Sequence, residues 1–208
     1  MHSLPQIYPI TDARVSGLSH AEQVEKLIAG GAALIQVREK YAASGEFYRS
    51  AMAAAAIARA AGVPLIINDR VDIAIAVGAA GVHLGQDDLP PTQARAMLGK
   101  KAIIGYSTHT IDQARAAGAL PVNYIAFGPI FATGSKENPD EVVGLQGLRA
   151  AREAVGDLPL VAIGGINGSN LLSVLEAGAD SAAMIGALIS DPLDIMQRMQ
   201  KLAAIAKR

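Results

Sequence analysis

Three polar side chains at the end of an apolar segment could bind an anion together. The segment from Leu34 to Lys40 reads LIQVREK, and its last positions alternate so that Gln36, Arg38 and Lys40 share one face of an extended chain. An amide, a guanidinium and an ammonium group then provide donors and two positive charges to the same space. The alternative is that Arg38 and Lys40 are ordinary surface charges at the end of a strand.

Two carboxylates and a third cation extend this set. Asp69 and Asp88 follow neighbouring apolar segments, so their carboxylates could share one Mg²⁺ ion, with substrate oxygens as further ligands. Asp69 could equally cap the helix that follows it. Lys136 lies in FATGSKENPDEVVG, the longest polar connection, which suits either a loop that closes over a substrate or a solvated excursion. A metal ion and three cations together suit a pyrophosphate.

Hydroxyl, imidazole and amide groups follow other apolar segments. Ser107 has no base beside it in the sequence, so we interpret it as a hydrogen-bond donor to an anion and not as a nucleophile. His83 lies inside an apolar segment, where a packed, hydrogen-bonded histidine is commoner than a ligand, and His109 could orient Ser107. The amide group is that of Asn68, which directly precedes Asp69 at the end of the third apolar segment. We assign no catalytic role to either histidine.

Eight short apolar segments, typical of buried parallel strands, position these residues. They span 6–10, 33–38, 63–68, 81–84, 102–107, 123–128, 160–164 and 181–185. Alanine-rich segments with helical spacing lie at 20–30, 45–62, 70–79, 90–99, 111–119, 145–155, 169–179 and 192–207. Eight βα units without a GxGxxG fingerprint after the first strand predict a closed (β/α)₈ barrel, the TIM barrel, rather than an open doubly wound sheet. Left-handed caps are expected at five glycines: Gly30, Gly62, Gly78, Gly118 and Gly178.

The predicted barrel has its reactive end at the carboxyl ends of the strands. The seventh and eighth strands are followed there by glycine, in IGGIN (163–167) and IGA (185–187). Loops at these two positions often bind a phosphate through backbone N–H groups, and glycine lets the backbone approach the ligand closely. We therefore interpret Gly164 and Gly165 as part of a phosphate site, the alternative being a simple turn from strand to helix.

Composition limits the classes of function. A chain of 208 residues suits one domain, predicted to span 1–208. The net charge of -1 provides no general attraction for nucleic acid or acidic membranes. The absence of cysteine excludes disulfides and thiolate chemistry. Because neither a signal peptide nor an apolar segment long enough to cross a bilayer is evident, we expect a soluble, cytoplasmic protein. The sequence leaves open whether the chain forms a homo-oligomer.

Several motifs resemble those of the thiamine phosphate synthase family, in the same order along the chain. They are QVREK, NDRVDIAIAVGAAGVHLGQDDLP, IIGYSTHT, YIAFGPIFATGSK and VAIGGI, and the resemblance runs from about YPITD to AGADSAAMIGAL. It implies a (β/α)₈ barrel that joins a pyrimidine diphosphate to a thiazole phosphate, giving thiamine phosphate and pyrophosphate, with Mg²⁺. In that family the pyrophosphate is thought to leave before the thiazole nitrogen attacks, so electrostatic stabilisation matters more than acid–base catalysis.

The resemblance also implies a role for each matching residue. The pyrimidine diphosphate and its metal would be held by Gln36, Arg38, Lys40, Asn68, Asp69, Asp88, Ser107 and Lys136. Of these, Asp69 and Asp88 would be the metal ligands, and the catalytic residues would be Arg38, Lys40, Ser107 and Lys136. The thiazole phosphate would be held by Thr133, Ser135, Gly165, Ile185 and Gly186. The family usually has serine in place of Gly186 and often PTxTK in place of ATGSK, so one donor to the thiazole phosphate is missing while Ser135 keeps its hydroxyl.

Two other functions stay open. A thiazole tautomerase resembles the synthase but handles only the thiazole phosphate, and it typically lacks the lysine of QVREK and the Asn-Asp pair. Lys40, Asn68 and Asp69 are all present, which favours the synthase. The third function is a noncatalytic sensor of phosphorylated ligands on the same barrel, for which Gly186 is the only hint. A complete set of pyrophosphate ligands argues against it.

Overall fold

Eight parallel strands form a closed barrel in a computed structural model that describes residues 4–134 and 140–207. The strands are β1 (Ile7–Thr11), β2 (Ile35–Val37), β3 (Leu65–Asn68), β4 (Gly81–Leu84), β5 (Ile103–Thr108), β6 (Tyr124–Phe127), β7 (Leu160–Ile163) and β8 (Ser181–Met184). Each strand pairs in parallel with the next one along the chain, and β8 pairs with β1. The predicted TIM barrel is confirmed.

Helices follow the strands around the outside of the barrel. They are α1 (Ala13–Ser16), α2 (His20–Ala29), α3 (Ser44–Ala60), α4 (Val71–Val77), α5 (Pro91–Leu98), α6 (Ile111–Ala117), α7 (Gly144–Val155), α8 (Leu171–Glu176), α9 (Gly186–Ile189) and α10 (Ile195–Ala206). Every predicted helical segment overlaps one of them. The short helices α1 and α9 were not predicted, because a single turn carries no apolar period. Within the described ranges, none of the helices has both the length and the apolarity that crossing a membrane requires.

Local capping explains where several helices begin. Ser19 and Glu22 form a capping box at the start of α2, in which the side-chain oxygen of each residue accepts from the backbone N–H group of the other. Thr110 accepts from the N–H group of Gln113 and so caps α6. Asp12 caps α1 by accepting from the N–H groups of the next helical turn. The cap at Asp12 also places its carboxylate at the mouth of the barrel.

The glycines near helix ends are not all there for the same structural reason. The predicted positive φ occurs at three of the five: Gly62, Gly78 and Gly178. For Gly30 and Gly118 the prediction is wrong, since both have right-handed helical φ angles of -80° and -60°. A Cβ on Gly30 would lie 2.6 Å from the Cβ of Met199 in α10, so the close approach of two helices explains this glycine. The positive φ falls one residue later, at Gly31.

Apolar side chains form two separate layers, one inside the barrel and one between the strands and the helices. In β3, Ile66 packs inside the barrel, while Leu65 and Ile67 pack against the helices. In β2, Ile35 and Val37 also belong to the outer layer. Because side chains alternate along a strand, Gln36 and Asn68 must point inward. This alternation places polar side chains inside the barrel near the carboxyl ends of the strands.

Candidate active site

A cavity of about 560 Å³ opens at the carboxyl ends of the strands. All eight strands, or the loops that follow them, contribute to its wall. The lining includes every described residue that the sequence predicted for the site: Gln36, Arg38, Lys40, Asn68, Asp69, Asp88, Ser107, Thr133, Gly165, Ile185 and Gly186. The other two, Ser135 and Lys136, lie outside the described residues. The barrel therefore brings together side chains that are spread along most of the chain.

Arg38 is anchored by a carboxylate that follows the neighbouring strand β1. Its Nη1 donates to Oδ2 of Asp12 over 2.5 Å, and both side chains are largely buried. The other oxygen of Asp12 accepts from the N–H groups of Arg14 and Val15 at the start of α1. Since Arg38 lies at the cavity wall in an ion pair, it is not an ordinary surface charge. Sequence analysis missed Asp12 as its partner, because these residues are 26 positions apart.

Lys40 donates to the carboxylate of Asp69, which occupies an unusual backbone position. Asp69 has a φ of 62° and is the one non-glycine residue in the described chain with a positive φ. A hydrogen bond of 2.8 Å from the N–H of Arg70 to the carbonyl of Asn68 closes a tight γ-turn around it. This turn aims the carboxylate at Lys40 and the cavity. Asp69 does not cap α4, because Arg70 holds the N-cap position and no side chain caps that helix.

The carboxylates of Asp69 and Asp88 are close enough to interact. Burial away from water, together with the neighbouring Asp69 carboxylate, raises the pKa of Asp88 to about 6. One oxygen of Asp88 accepts from the N–H of Gly85 over 2.6 Å, which orients the group. Two adjacent carboxylates repel each other unless a proton or a cation lies between them.

Oxygen ligands of this kind suit a hard divalent cation. Within 4–134 and 140–207, the His, Cys, Asp and Glu side chains form no group of three or more that could hold a metal ion. Asp69 and Asp88 would therefore supply two ligands, and oxygens of a substrate and water would have to supply the rest. The site fits a cation that binds together with a phosphorylated ligand.

Ser107 is oriented by His83 and not by His109. Nε2 of His83 lies 2.9 Å from Oγ of Ser107, whereas Nδ1 of His109 lies 2.8 Å from the carbonyl oxygen of Gly128. The proposed contact between His109 and Ser107 is wrong because His109 lies beyond the end of β5 and turns toward the loop after β6. Burial lowers the pKa of His83 to about 4, so the imidazole is neutral near pH 7 and is a weak base. Its packed, hydrogen-bonded position agrees with the interpretation of its apolar segment.

Glycine loops close the other side of the cavity. Gly164 and Gly165 follow β7 with φ angles of 103° and 64°. A Cβ on Gly165 would lie 2.5 Å from the carbonyl oxygen of Ala132, so this loop packs directly on the loop after β6. Gly186 begins α9 after β8, and a Cβ added to it would meet no atom of the described residues within 4 Å. The loop packing explains Gly164 and Gly165 structurally, and their binding of a phosphate stays a prediction.

Two buried tyrosines at the floor of the cavity were missed by sequence analysis. Tyr8 and Tyr124 lie inside the barrel with their hydroxyl oxygens 2.9 Å apart, and Gln36 donates to the hydroxyl of Tyr8 over 3.1 Å. Both tyrosines occur in apolar segments that predict only core strands. The one available signal was Gly105, since a glycine inside a strand often marks a close approach of another group.

Comparisons with known proteins agree with this geometry. The family model described as thiamine monophosphate synthase matches residues 7–188. A thiamine-phosphate synthase from Chloroflexus aurantiacus is 43% identical over 201 residues, which cover 96% of this chain and 92% of that protein. One from Syntrophomonas wolfei is 44% identical over 203 residues, covering 97% and 96%. The solved structure of a thiamine phosphate pyrophosphorylase from Pyrococcus furiosus superposes with a TM-score of 0.87 at 34% identity, covering 98% of this chain and 96% of that chain. The chain therefore belongs to the thiamine monophosphate synthase family.

Proposed function

We propose that this chain is a transferase of thiamine biosynthesis, formed by a single domain over residues 1–208. It couples 4-amino-2-methyl-5-hydroxymethylpyrimidine diphosphate with 4-methyl-5-(2-hydroxyethyl)thiazole phosphate, and it releases thiamine phosphate and pyrophosphate. The observation that carries this proposal is the meeting of Lys40, Asp69 and Asp88 at one rim of the cavity, in a member of this family. A tautomerase acting on the thiazole phosphate alone would not need that arrangement.

Asp69 and Asp88 would hold the Mg²⁺ ion that the family resemblance implies. Bound there, the ion would supply positive charge to the phosphate oxygens of the leaving group. In the ligand-free protein, Lys40 already neutralises part of the charge on Asp69, and the raised pKa of Asp88 means that a proton competes with a cation at this site. The pair is therefore suited to bind a cation that arrives with a diphosphate.

The polar side chains at the cavity wall can stabilise a departing pyrophosphate without acid–base catalysis. When the bond between the pyrimidine methylene carbon and the diphosphate oxygen breaks, the electron pair leaves with the pyrophosphate and the carbon becomes cationic. Arg38 and Lys40 face the cavity where that negative charge gathers, and Ser107 can donate a hydrogen bond to it. Lys136, outside the described residues, is proposed as the third cation on the family resemblance alone. The thiazole nitrogen then supplies the electron pair for the new carbon–nitrogen bond.

The thiazole phosphate is assigned to the loops after β6, β7 and β8. Thr133, Gly165, Ile185 and Gly186 line this side of the cavity, opposite the carboxylate pair in chain order around the barrel. Ser135 would add a hydroxyl from outside the described residues. Small phosphorylated molecules are therefore the proposed partners, while a cytoplasmic location and a homo-oligomeric state stay predictions.

The decisive experiment measures pyrophosphate release by the purified full chain. With both substrates and Mg²⁺ we expect pyrophosphate and thiamine phosphate to appear in equal amounts, and removal of the metal with a chelator should stop the reaction. A tautomerase would isomerise the thiazole phosphate without releasing pyrophosphate, and a sensor would bind the ligands without turnover. Either of these two results would contradict the proposed function.

Restoring the usual serine in place of Gly186 should strengthen binding of the thiazole phosphate. The variant Gly186→Ser adds a hydroxyl where a Cβ meets no atom of residues 4–134 and 140–207 within 4 Å, so the described part of the cavity wall can accept it. One added hydrogen bond to a phosphate should lower KM for the thiazole phosphate by about three- to tenfold, with little change in kcat. Steady-state kinetics would measure this, and KM for the pyrimidine diphosphate is the internal control. A higher KM for the thiazole phosphate would place that phosphate elsewhere.

A further inference from the structure

A continuous chain of hydrogen bonds crosses the floor of the cavity from β2 to β5. We call it the floor chain, and it runs through Gln36, Tyr8, Tyr124, His83 and Ser107. The successive distances are 3.1 Å from Gln36 Nε2 to Tyr8 Oη, 2.9 Å between the two tyrosine hydroxyls, 3.0 Å to His83 Nδ1 and 2.9 Å from His83 Nε2 to Ser107 Oγ. The first four side chains are buried, and Ser107 alone is partly exposed, at the cavity wall.

The barrel provides space for this chain by omitting one side chain. In the strand register, Gly105 on β5 lies between His83 on β4 and Tyr124 on β6. A Cβ on Gly105 would lie 2.1 Å from Cζ of Tyr124 and 2.5 Å from Nδ1 of His83. Because glycine leaves this gap, the two rings stack across β5 with centroids 5.5 Å apart. The floor chain therefore depends on the lack of a side chain at Gly105 in β5.

The donor properties of the groups give the floor chain a direction. An amide NH₂ can only donate, so Tyr8 accepts from Gln36 and its own hydroxyl hydrogen is directed to Tyr124. Tyr124 then donates to Nδ1 of His83, and the neutral imidazole must carry its hydrogen on Nε2. The opposite direction would leave the buried hydroxyl hydrogen of Tyr8 without an acceptor among the described residues, which is unfavourable.

This direction determines what Ser107 offers to a ligand. With Nε2–H of His83 donating to its oxygen, Ser107 has one hydroxyl hydrogen left, and that hydrogen is available to the cavity. We propose that Tyr8, Tyr124 and His83 are positioning residues that hold Ser107 as a hydrogen-bond donor to the departing pyrophosphate. The proposal rests on the proposed function, and it assigns the buried tyrosines a role in the reaction although neither belongs to the predicted site.

The first test observes the ligand-free wild-type chain and needs no turnover. Nitrogen-15 NMR of the ligand-free full chain distinguishes the two neutral tautomers of histidine by the chemical shifts of the ring nitrogens. The chain contains 4 histidines, so the spectrum of His83→Gln would identify the signals of His83. We expect the hydrogen of His83 on Nε2. A hydrogen on Nδ1 would reverse the direction of the floor chain and overturn the proposal.

The second test asks whether Tyr124 acts through Ser107. Tyr124→Phe keeps the ring stack and removes the hydroxyl that connects Tyr8 to His83. We expect kcat to fall about tenfold in the wild-type background and less than about twofold in the Ser107→Ala background, because the donor that Tyr124 positions is then already missing. Equal losses in both backgrounds would show a purely structural effect and overturn the proposal. Tyr48→Phe, on the outer surface of α3, is the matched control, with kcat expected to be unchanged.

Folding and function can be separated in these tests. Circular dichroism melting identifies a variant that fails to fold, and Tyr8→Phe then replaces Tyr124→Phe, because it breaks the same chain one residue earlier. If the wild-type chain releases no pyrophosphate, the proposed function fails, while the tautomer of His83 still tests the direction of the floor chain. If the wild-type chain is active and the two losses are equal, only the role of the floor chain fails.

Discussion

Replacing Asp69 by asparagine is expected to lower kcat/KM for the coupling reaction by about a thousandfold. The substitution removes one of the two proposed cation ligands and the ion-pair partner of Lys40. Asparagine has nearly the same size and tolerates a positive φ better than most residues, so the turn with φ 62° should form as before. Alanine would confuse the result, because it lacks the short polar side chain that makes a positive φ tolerable for asparagine. Pyrophosphate release as a function of Mg²⁺ concentration is the measurement.

Asp72→Asn is the matched control for this prediction. Asp72 lies three positions away in the first turn of α4, is exposed, and pairs with Arg70 outside the cavity. The same chemical change there should leave kcat/KM within about twofold of wild type. Both variants should melt within a few degrees of the wild-type chain. Near-normal turnover of Asp69→Asn would refute the assignment of Asp69 to the reaction.

Gly105→Ala is expected to reduce the free energy of unfolding by about 3 kcal/mol or more. Its Cβ would overlap the rings of Tyr124 and His83, at 2.1 Å and 2.5 Å, and both residues are buried inside the barrel. Neither ring can move without breaking the stack and the hydrogen bond between them. Urea denaturation followed by circular dichroism would measure the loss, and the surviving protein should have lower kcat, because His83 no longer meets Tyr124.

Gly45→Ala provides a control with the opposite sign. Gly45 lies in the first turn of α3, and a Cβ there would be 3.7 Å from Nη1 of Arg49, which is ordinary contact with a flexible side chain. Alanine in that helix should raise the free energy of unfolding by about 0.5 kcal/mol. A Gly105→Ala chain as stable as wild type would mean that the floor of the barrel repacks, and that the ring stack does not require glycine.

The sequence predicted the architecture because its signals are local. Alternating βα segments indicate a parallel barrel whatever contacts the side chains make. The predicted segments lie within a few residues of the observed bounds. Alternation along β2 was enough to place Gln36 on the inner face, and the position of each polar residue at a strand end was enough to place it at the mouth. The predicted left-handed caps at two glycines were wrong because glycine can allow two helices to pack closely as well as allow a turn. The local sequence does not distinguish these two uses.

The sequence by itself therefore determined the eight units, the inner face of β2 and many of the polar side chains at the mouth. Only the tertiary structure decided which of them meet: Arg38 with Asp12, Lys40 with Asp69, and His83 with Ser107. The two hydroxyls of Tyr8 and Tyr124 come together across 116 residues of sequence. The physical reason is that such contacts depend on barrel closure and strand register, which bring distant strands to within hydrogen-bond distance and which no local pattern of residues encodes.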